Sequence, residues 1–181
     1  MPVKSHRIRR ILIDLVPTLL IALVLYLGLH IAVEPRIVLG QSMEPTLHNN
    51  EYVLLDKFSY WFHGPERGDI VVFHYPLAPS VDYIKRVIGV AGDHVQVDGG
   101  NVYVDGARLS ERYIAAQPDY TDNRVVPNGY LYVLGDNRDN SSDSHIWGLL
   151  PLKDVVGRAL IAYWPLSDAS FLADPSYPGV H

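Results

Sequence analysis

The chain has 181 residues, 48% of them apolar, which suits one folded domain of ordinary size plus a membrane segment and excludes two large domains. It has no cysteine, which excludes disulfides, zinc–thiolate sites and a cysteine nucleophile. Net charge is −5; setting aside Lys4, Arg7, Arg9, Arg10 and Asp14 leaves 11 basic against 19 acidic residues from Glu34 onward, an acidic body without the basic patch that nucleic acid requires.

Residues 1–10 carry the basic cluster and read as a cytoplasmic N-terminus. Residues 11–33 follow as ILIDLVPTLLIALVLYLGLHIAV, in which Leu15 to Val33 runs 19 residues without a charged side chain. At 1.5 Å per residue this run spans about 28 Å, the thickness of a bilayer's hydrocarbon, and predicts a single transmembrane helix with Pro17 in its first turns. The run is longer than the apolar core of a cleaved secretory signal and ends in Val33-Glu34-Pro35-Arg36 instead of a small-x-small site, so it reads as an uncleaved anchor. The positive-inside rule then puts residues 34–181 on the far side of the plasma membrane.

Beyond the anchor, short β-branched and aromatic runs predict strands at Arg36 to Leu39, Tyr52 to Leu55, Ile70 to Tyr75, Tyr83 to Val90, His94 to Val97, Asn101 to Val104 and Tyr130 to Leu134. Turn pairs such as Gly64-Pro65, Gly92-Asp93, Gly99-Gly100, Asp105-Gly106 and Asn128-Gly129 separate them. The segment HVQVDGGNVYVDGARL is the clearest hairpin and reads as scaffold. The fold class is mainly β, an antiparallel β-sheet domain behind one N-terminal transmembrane helix. The proline-rich tail after Trp164 reads as loosely held.

Three segments carry chemistry. In Gly40-Gln-Ser-Met-Glu-Pro-Thr-Leu47, Ser42 follows a predicted strand with Pro45 restricting the residue before it, which can present a hydroxyl with its own N–H toward a developing oxyanion. In Val81-Asp-Tyr-Ile-Lys-Arg-Val-Ile-Gly-Val-Ala-Gly-Asp93, Lys85 interrupts an apolar strand. Facing solvent it is ordinary; buried, it loses its proton more readily. Lowering its pKa from about 10.4 to about 8 takes roughly 3 kcal/mol and leaves about a tenth of it neutral at pH 7, enough for a general base. The third segment, Gly135-Asp-Asn-Arg-Asp-Asn-Ser-Ser-Asp-Ser-His-Ile-Trp-Gly148, is a polar loop. Asp136, Asp139 and Asp143 could supply calcium ligands, but the EF-hand spacing and its terminal glutamate are missing, and a polar network supporting an active site explains more of the loop.

Among the eight histidines no His-Glu-x-x-His occurs, and His48, His63, His74 and His94 fall on separate segments. A Gly-x-Ser-x-Gly elbow is missing because position 44 is glutamate. These absences disfavour a metalloprotease and an α/β-hydrolase. No metal or organic cofactor is called for.

Ser-Met-x-Pro-Thr, then Tyr-Ile-Lys-Arg-Val-x-Gly-x-x-Gly-Asp, then Gly-Asp-Asn-Arg-Asp-Asn-Ser-x-Asp-Ser, in that order behind one anchor, resembles bacterial type I signal peptidase over nearly the whole chain. The resemblance implies a serine endopeptidase with Ser42 as nucleophile and Lys85 as base, Ser141 orienting the lysine, and Asp136, Arg138, Asp143 and Arg86 bracing the site. It implies exported preproteins as substrates, cut after small residues at the first and third positions. The sequence leaves oligomeric state open. Two rival classes share parts of this pattern: a self-cleaving repressor-type protease, whose serine and lysine lie about forty residues apart (43 here), and a membrane-tethered β domain that binds partners without chemistry.

Two positions depart from patterns found in the family, although another branch of it also has glycine at the first. Gly40 stands where some members carry a serine or threonine that helps bind the oxyanion, leaving the Ser42 N–H with more of that work. His145 stands in place of arginine, so a bidentate pair with Asp143 becomes a single hydrogen bond that depends on protonation. Activity of a His145→Arg variant measured across pH is expected to show a profile different from the parent's; superimposable profiles would remove the basis for a pH-sensitive loop.

Overall fold

The computed structural model describes residues 3–172, 175 and 177, with side chains described for 15–28, 30–172, 175 and 177. Helix α1 spans Val3–Ala32, and its Leu15–Ala32 stretch, of mean hydropathy 2.2 with no residue buried, is long and apolar enough to cross a membrane. Lys4, Arg7, Arg9, Arg10 and Asp14 lie along this helix with side chains outside the described set. Two expectations are corrected here. Pro17 lies in the helix interior, not its first turns, because the charged residues ahead of it are helical too. Val33 belongs to the first strand and not to the helix.

The strands are β1 (Val33–Ile37), β2 (Tyr52–Asp56), β3 (Ile70–Tyr75), β4 (Ala78–Gly89), β5 (His94–Asp98), β6 (Asn101–Val104), β7 (Ala107–Arg108), β8 (Asp122–Val125), β9 (Tyr130–Leu134), β10 (Leu150–Pro151), β11 (Val155–Trp164) and β12 (Ser170–Phe171), with a one-turn helix α2 at Ser144–Trp147. The larger sheet runs β1-β2-β11-β3-β4-β9-β10 with β12 on β11, the smaller β7-β6-β5-β8. Every pairing is antiparallel, so the fold class is as the sequence implies. The first predicted strand is shifted: Arg36 and Ile37 pair with β2, while Val38 and Leu39 have left the strand. Pro35 is tolerated there because β1 is an edge strand, where a missing N–H removes no ladder bond. Strands β7, β8, β10, β11 and β12 fall outside the runs that the sequence predicts. The tail is partly held, with β12 paired to β11 and Leu172 buried; residues 173, 174, 176 and 178–181 lie outside the described residues.

The central strands are apolar without alternation because both faces of the larger sheet are covered. Ile70 and Val72 enter one core with Met43, Leu47, Val53 and Leu55, while Val71 and Phe73 enter another with Val87, Leu131 and Val133. The hairpin predicted at β5 and β6 is present, with Val95 opposite Val104 and Val97 opposite Val102. Gly99 and Gly100 both take positive φ at its turn, 54° and 76°, as a two-residue hairpin loop requires. These four valines pack on Ile88, Tyr132 and Leu134, which joins the two sheets.

The helix is tied directly to the sheet. Lys57 N–H donates to the Ala32 carbonyl at 2.9 Å, Lys57 pairs with Glu34 at 3.1 Å, and Phe58 and Trp61 form an apolar cleft with Val24, Leu25, Gly28 and Ile31.

Gly89 marks a close approach between the two sheets: a Cβ there would come within 2.5 Å of Val95 Cγ2 and 3.3 Å of Val126 Cγ2. Gly89→Ala is expected to destabilise the domain by ~1–3 kcal/mol through overpacking. Urea unfolding of the detergent-solubilised chain, followed by tryptophan fluorescence, checks this, and an unchanged midpoint would contradict it.

Candidate active site

Ser42 lies in the turn that follows β1, and the flanking side chains Met43 and Leu47 are buried, so the core holds the loop from within. Val38 exchanges backbone bonds with Glu51 (2.7 Å) and Asn50 (2.8 Å), and Gly40 N–H donates to Asn49 Oδ1 at 2.8 Å. Gly40 has φ of +95°, a conformation that glycine adopts without strain. The departure at this position therefore has a backbone reason: a side chain would find open space but a costly φ.

Lys85 sits on β4 opposite Val71. Alternation along the strand puts it on the same face as Val87, and its side chain is only 3% exposed. Its Nζ lies 2.7 Å from Ser42 Oγ and donates to the Ile84 carbonyl at 2.8 Å. Burial pulls its pKa from 10.5 down to about 8, against the opposing pull of the Asp143 and Asp136 carboxylates. About a tenth of the amine is neutral at pH 7, and in that form it can accept the hydroxyl proton.

The third segment wraps this pair. A Cβ on Gly135 would collide with the Ser141 hydroxyl and with the Ser42 carbonyl, so the loop passes against Ser42 because residue 135 is glycine. Asp136 is fully buried and takes a two-pronged pair from Arg86, Nε to Oδ1 at 2.9 Å and Nη2 to Oδ2 at 2.6 Å. Arg86 also donates to the Gly68 carbonyl at 2.9 Å and lies 4.1 Å from the centre of the Tyr113 ring. Thr46 Oγ1 donates to the same Asp136 at 2.5 Å. One carboxylate thus joins the residue after Lys85 to the turn that carries Ser42. Arg138 donates to the Gly135 carbonyl at 3.1 Å and forks onto Glu111 at 2.9 and 2.5 Å. Asp143 caps α2 and accepts from Gly135 N–H at 2.9 Å. Its other oxygen lies 2.6 Å from His145 Nδ1, and the His145 ring is stacked on Tyr120 with centroids 3.8 Å apart.

The structure therefore brings Ser42, Lys85, Asp136, Arg86, Arg138, Asp143 and His145 into one neighbourhood. Ser141 is there too, 9% exposed, but its Oγ has no hydrogen-bond partner among the described residues. Sequence reasoning missed Asn137, which donates from its backbone to the Ser42 carbonyl at 3.0 Å and from Nδ2 to the Gln41 carbonyl at 3.1 Å. It also missed Thr46, Glu111, Tyr113 and Tyr120. Thr46 and Asn137 stood inside the segments singled out; Glu111, Tyr113 and Tyr120 lie in an irregular stretch with no local signal. Among the described residues, no group of three or more His, Asp or Glu is placed to hold a metal ion.

A profile of the family described as "Signal peptidase, peptidase S26" matches residues 12–164. The chain is similar to "Probable signal peptidase I-1" of Synechocystis sp., 45% identical over 161 residues, covering 84% of this chain and 82% of that protein. It is similar to "Signal peptidase I" of Leptolyngbya laminosa, 43% identical over 173 residues, covering 91% and 85%. A crystal structure of a signal peptidase I from Enterococcus faecalis aligns at 30% identity and a TM-score of 0.49, covering 52% of this chain and 95% of that one.

Holding Lys85 out of water carries a stability cost with a defined pH dependence. The unfolded chain keeps this proton up to about 10.5 and the folded chain only to about 8. Between these values the unfolded state binds more protons, so stability rises with pH across that window. Lys85→Met removes the titration. Its stability relative to the parent is expected to fall by about 3 kcal/mol between pH 7 and pH 10.5; denaturant unfolding at both values measures the difference, and a constant difference would contradict the buried ammonium.

Proposed function

We propose, for a chain that belongs to the signal peptidase family, peptidase S26, that it removes signal peptides from exported preproteins as a serine endopeptidase and that Ser42 and Lys85 are the reacting pair. The observation that carries this reading is the 2.7 Å approach of a buried lysine amine to a serine hydroxyl. Neutral Lys85 takes the hydroxyl proton as Ser42 Oγ bonds to the scissile carbonyl carbon. The carbonyl oxygen becomes an oxyanion and is met by the Ser42 N–H. The Lys85 ammonium then returns its proton to the leaving amine as the C–N bond breaks. Water, deprotonated by the same lysine, cleaves the ester that remains. Ser141, buried against Gly135 beside Ser42 and with no hydrogen-bond partner for its hydroxyl among the described residues, orients the lysine during proton transfer. Arg86, Asp136, Arg138, Asp143 and His145 hold the geometry without touching the reacting atoms.

The substrate lies extended between two free strand edges. Among the described residues β1 pairs with β2 alone and β4 is joined to β9 only from Arg86 onward, so these two edges, ahead of Ser42 and ahead of Lys85, can accept an added strand. Small side chains at the first and third positions before the cut suit that fit. Ser42 follows the end of α1 by ten residues, which supports a site at the bilayer surface with α1 as its anchor. The basic cluster Lys4, Arg7, Arg9 and Arg10 supports a cytoplasmic N-terminus and an extracytoplasmic catalytic domain at the plasma membrane.

Cleavage of a preprotein by the purified full chain tests the reading. Ser42→Ala and Lys85→Ala are each expected to lower kcat/KM by ~10²–10⁴ or more. In the parent, kcat/KM is expected to rise with pH through a midpoint near 8, because the base works only when neutral. Full activity in either variant would refute the pair.

A further inference from the structure

Asn137 belongs to the polar loop, yet among the described residues the hydrogen bonds it donates go neither to Lys85 nor to the charged side chains that brace the site. The two it donates go to consecutive backbone carbonyls, those of Gln41 and Ser42, on either side of the nucleophile's α-carbon. The peptide between Gln41 and Ser42 is trans, and in a trans peptide the C=O and the N–H lie in one plane and point in opposite directions. Fixing the Gln41 carbonyl therefore fixes the direction of the Ser42 N–H, away from Asn137. The second bond fixes the peptide on the other side of Ser42, which leaves the residue little freedom to rotate.

Within the turn, Glu44 N–H also donates to the Gln41 carbonyl at 3.1 Å, but the stretch that leads into it has little packing to steady it. Leu39, Gly40 and Gln41 are all exposed, and Gly40 is the residue type with the softest backbone. Asn137, by contrast, is rooted. Its neighbours in sequence, Asp136 and Arg138, are both buried and paired, with Arg86 and Glu111 respectively, and its own carbonyl accepts from Asn140 N–H at 3.1 Å. The ion pairs hold the loop, and Asn137 transmits that rigidity to the peptide plane.

We propose that Asn137 is a positioning residue that aims the Ser42 N–H at the oxyanion. The role rests on the reading of Ser42 as nucleophile. It predicts an effect that grows as charge develops on the substrate oxygen and is absent when the uncharged ground state binds.

Asn137→Ala and Asn137→Leu both remove the Nδ2 donor, and Leu keeps nearly the same shape. In the detergent-solubilised full chain, each is expected to lower kcat about tenfold, the scale of one neutral hydrogen bond and below the ~10²–10³ lost with an oxyanion donor itself. KM and the pH midpoint of kcat/KM are expected to stay at parental values, since Lys85 is untouched. Affinity for a peptide aldehyde, whose serine adduct carries the oxyanion, is expected to fall in parallel with kcat, while affinity for the uncleavable product peptide does not. Parental kcat and aldehyde affinity in both variants would overturn the proposal, as would a raised KM with kcat unchanged. A parent chain that cleaves no preprotein would overturn the reading of Ser42 and this role with it; a parent that cleaves alongside two equally active variants strikes Asn137 alone.

Discussion

A lysine amine withheld from water and set 2.7 Å from a serine hydroxyl is the arrangement to which the surrounding structure answers. Burial pulls the Lys85 pKa from 10.5 down to about 8, which costs about 3 kcal/mol at neutral pH. A domain of this kind has only ~5–15 kcal/mol of net stability, so the cost is a large part of the margin and must be supported by well-packed surroundings. Two carboxylates lie close enough to oppose the shift, Asp143 and Asp136. Neither is left as a free charge. Asp136 is met by the guanidinium of Arg86, and Asp143 by the Gly135 N–H, the His145 N–H and the His145 ring. Their counter-groups reduce the field that would keep the amine protonated, and the carboxylates still hold the loop in place.

The same loop depends on steric allowance as much as on charge. Gly135 passes where any Cβ would strike Ser141 and the Ser42 backbone, so three separate segments meet without a side chain between them. Arg138 holds the Gly135 carbonyl and Asp143 holds its N–H, which fixes both faces of a residue that would otherwise be the most mobile in the loop. Close packing at the site is thus achieved by removing a side chain and restraining the backbone that results.

What could be read in the sequence follows from how local each signal is. The β5–β6 hairpin was legible because its valines alternate and its turn glycines sit between them, all within a few residues. β11 was not, although it is central to the larger sheet: its register shifts at Val155/Gly157, Ala159/Ile161 and Ala162/Trp164 break the two-residue period that marks a strand. At Gly157 a Cβ would lie 2.8 Å from the Asp56 carbonyl, a close approach that the sequence shows only as an interruption. β8, Asp-Asn-Arg-Val at the edge of the small sheet, has a loop's composition. The pairing of Ser42 with Lys85 was legible through order and resemblance, but the burial of Lys85 was not, since the pattern of β4 alone also fits a solvent-facing lysine. Glu111 and Arg138 are 27 residues apart, and no local pattern pairs them.

Gly40 shows how a departure in sequence is resolved by the backbone. Read as a missing hydroxyl, it is a loss to the oxyanion site. In the structure its φ of +95° makes a serine at that position strained, so this turn and a side-chain donor at residue 40 are alternatives. The turn is the one that brings Gln41 and Ser42 against Asn137. With no hydroxyl at residue 40, the proposed mechanism leaves stabilisation of the oxyanion more heavily to the Ser42 N–H. Its value then depends on angle, because hydrogen bonds weaken steeply as they bend. A chain with glycine at residue 40 therefore has greater need of an external brace on the Gln41–Ser42 peptide, and the loop that already packs against Ser42 is placed to supply it.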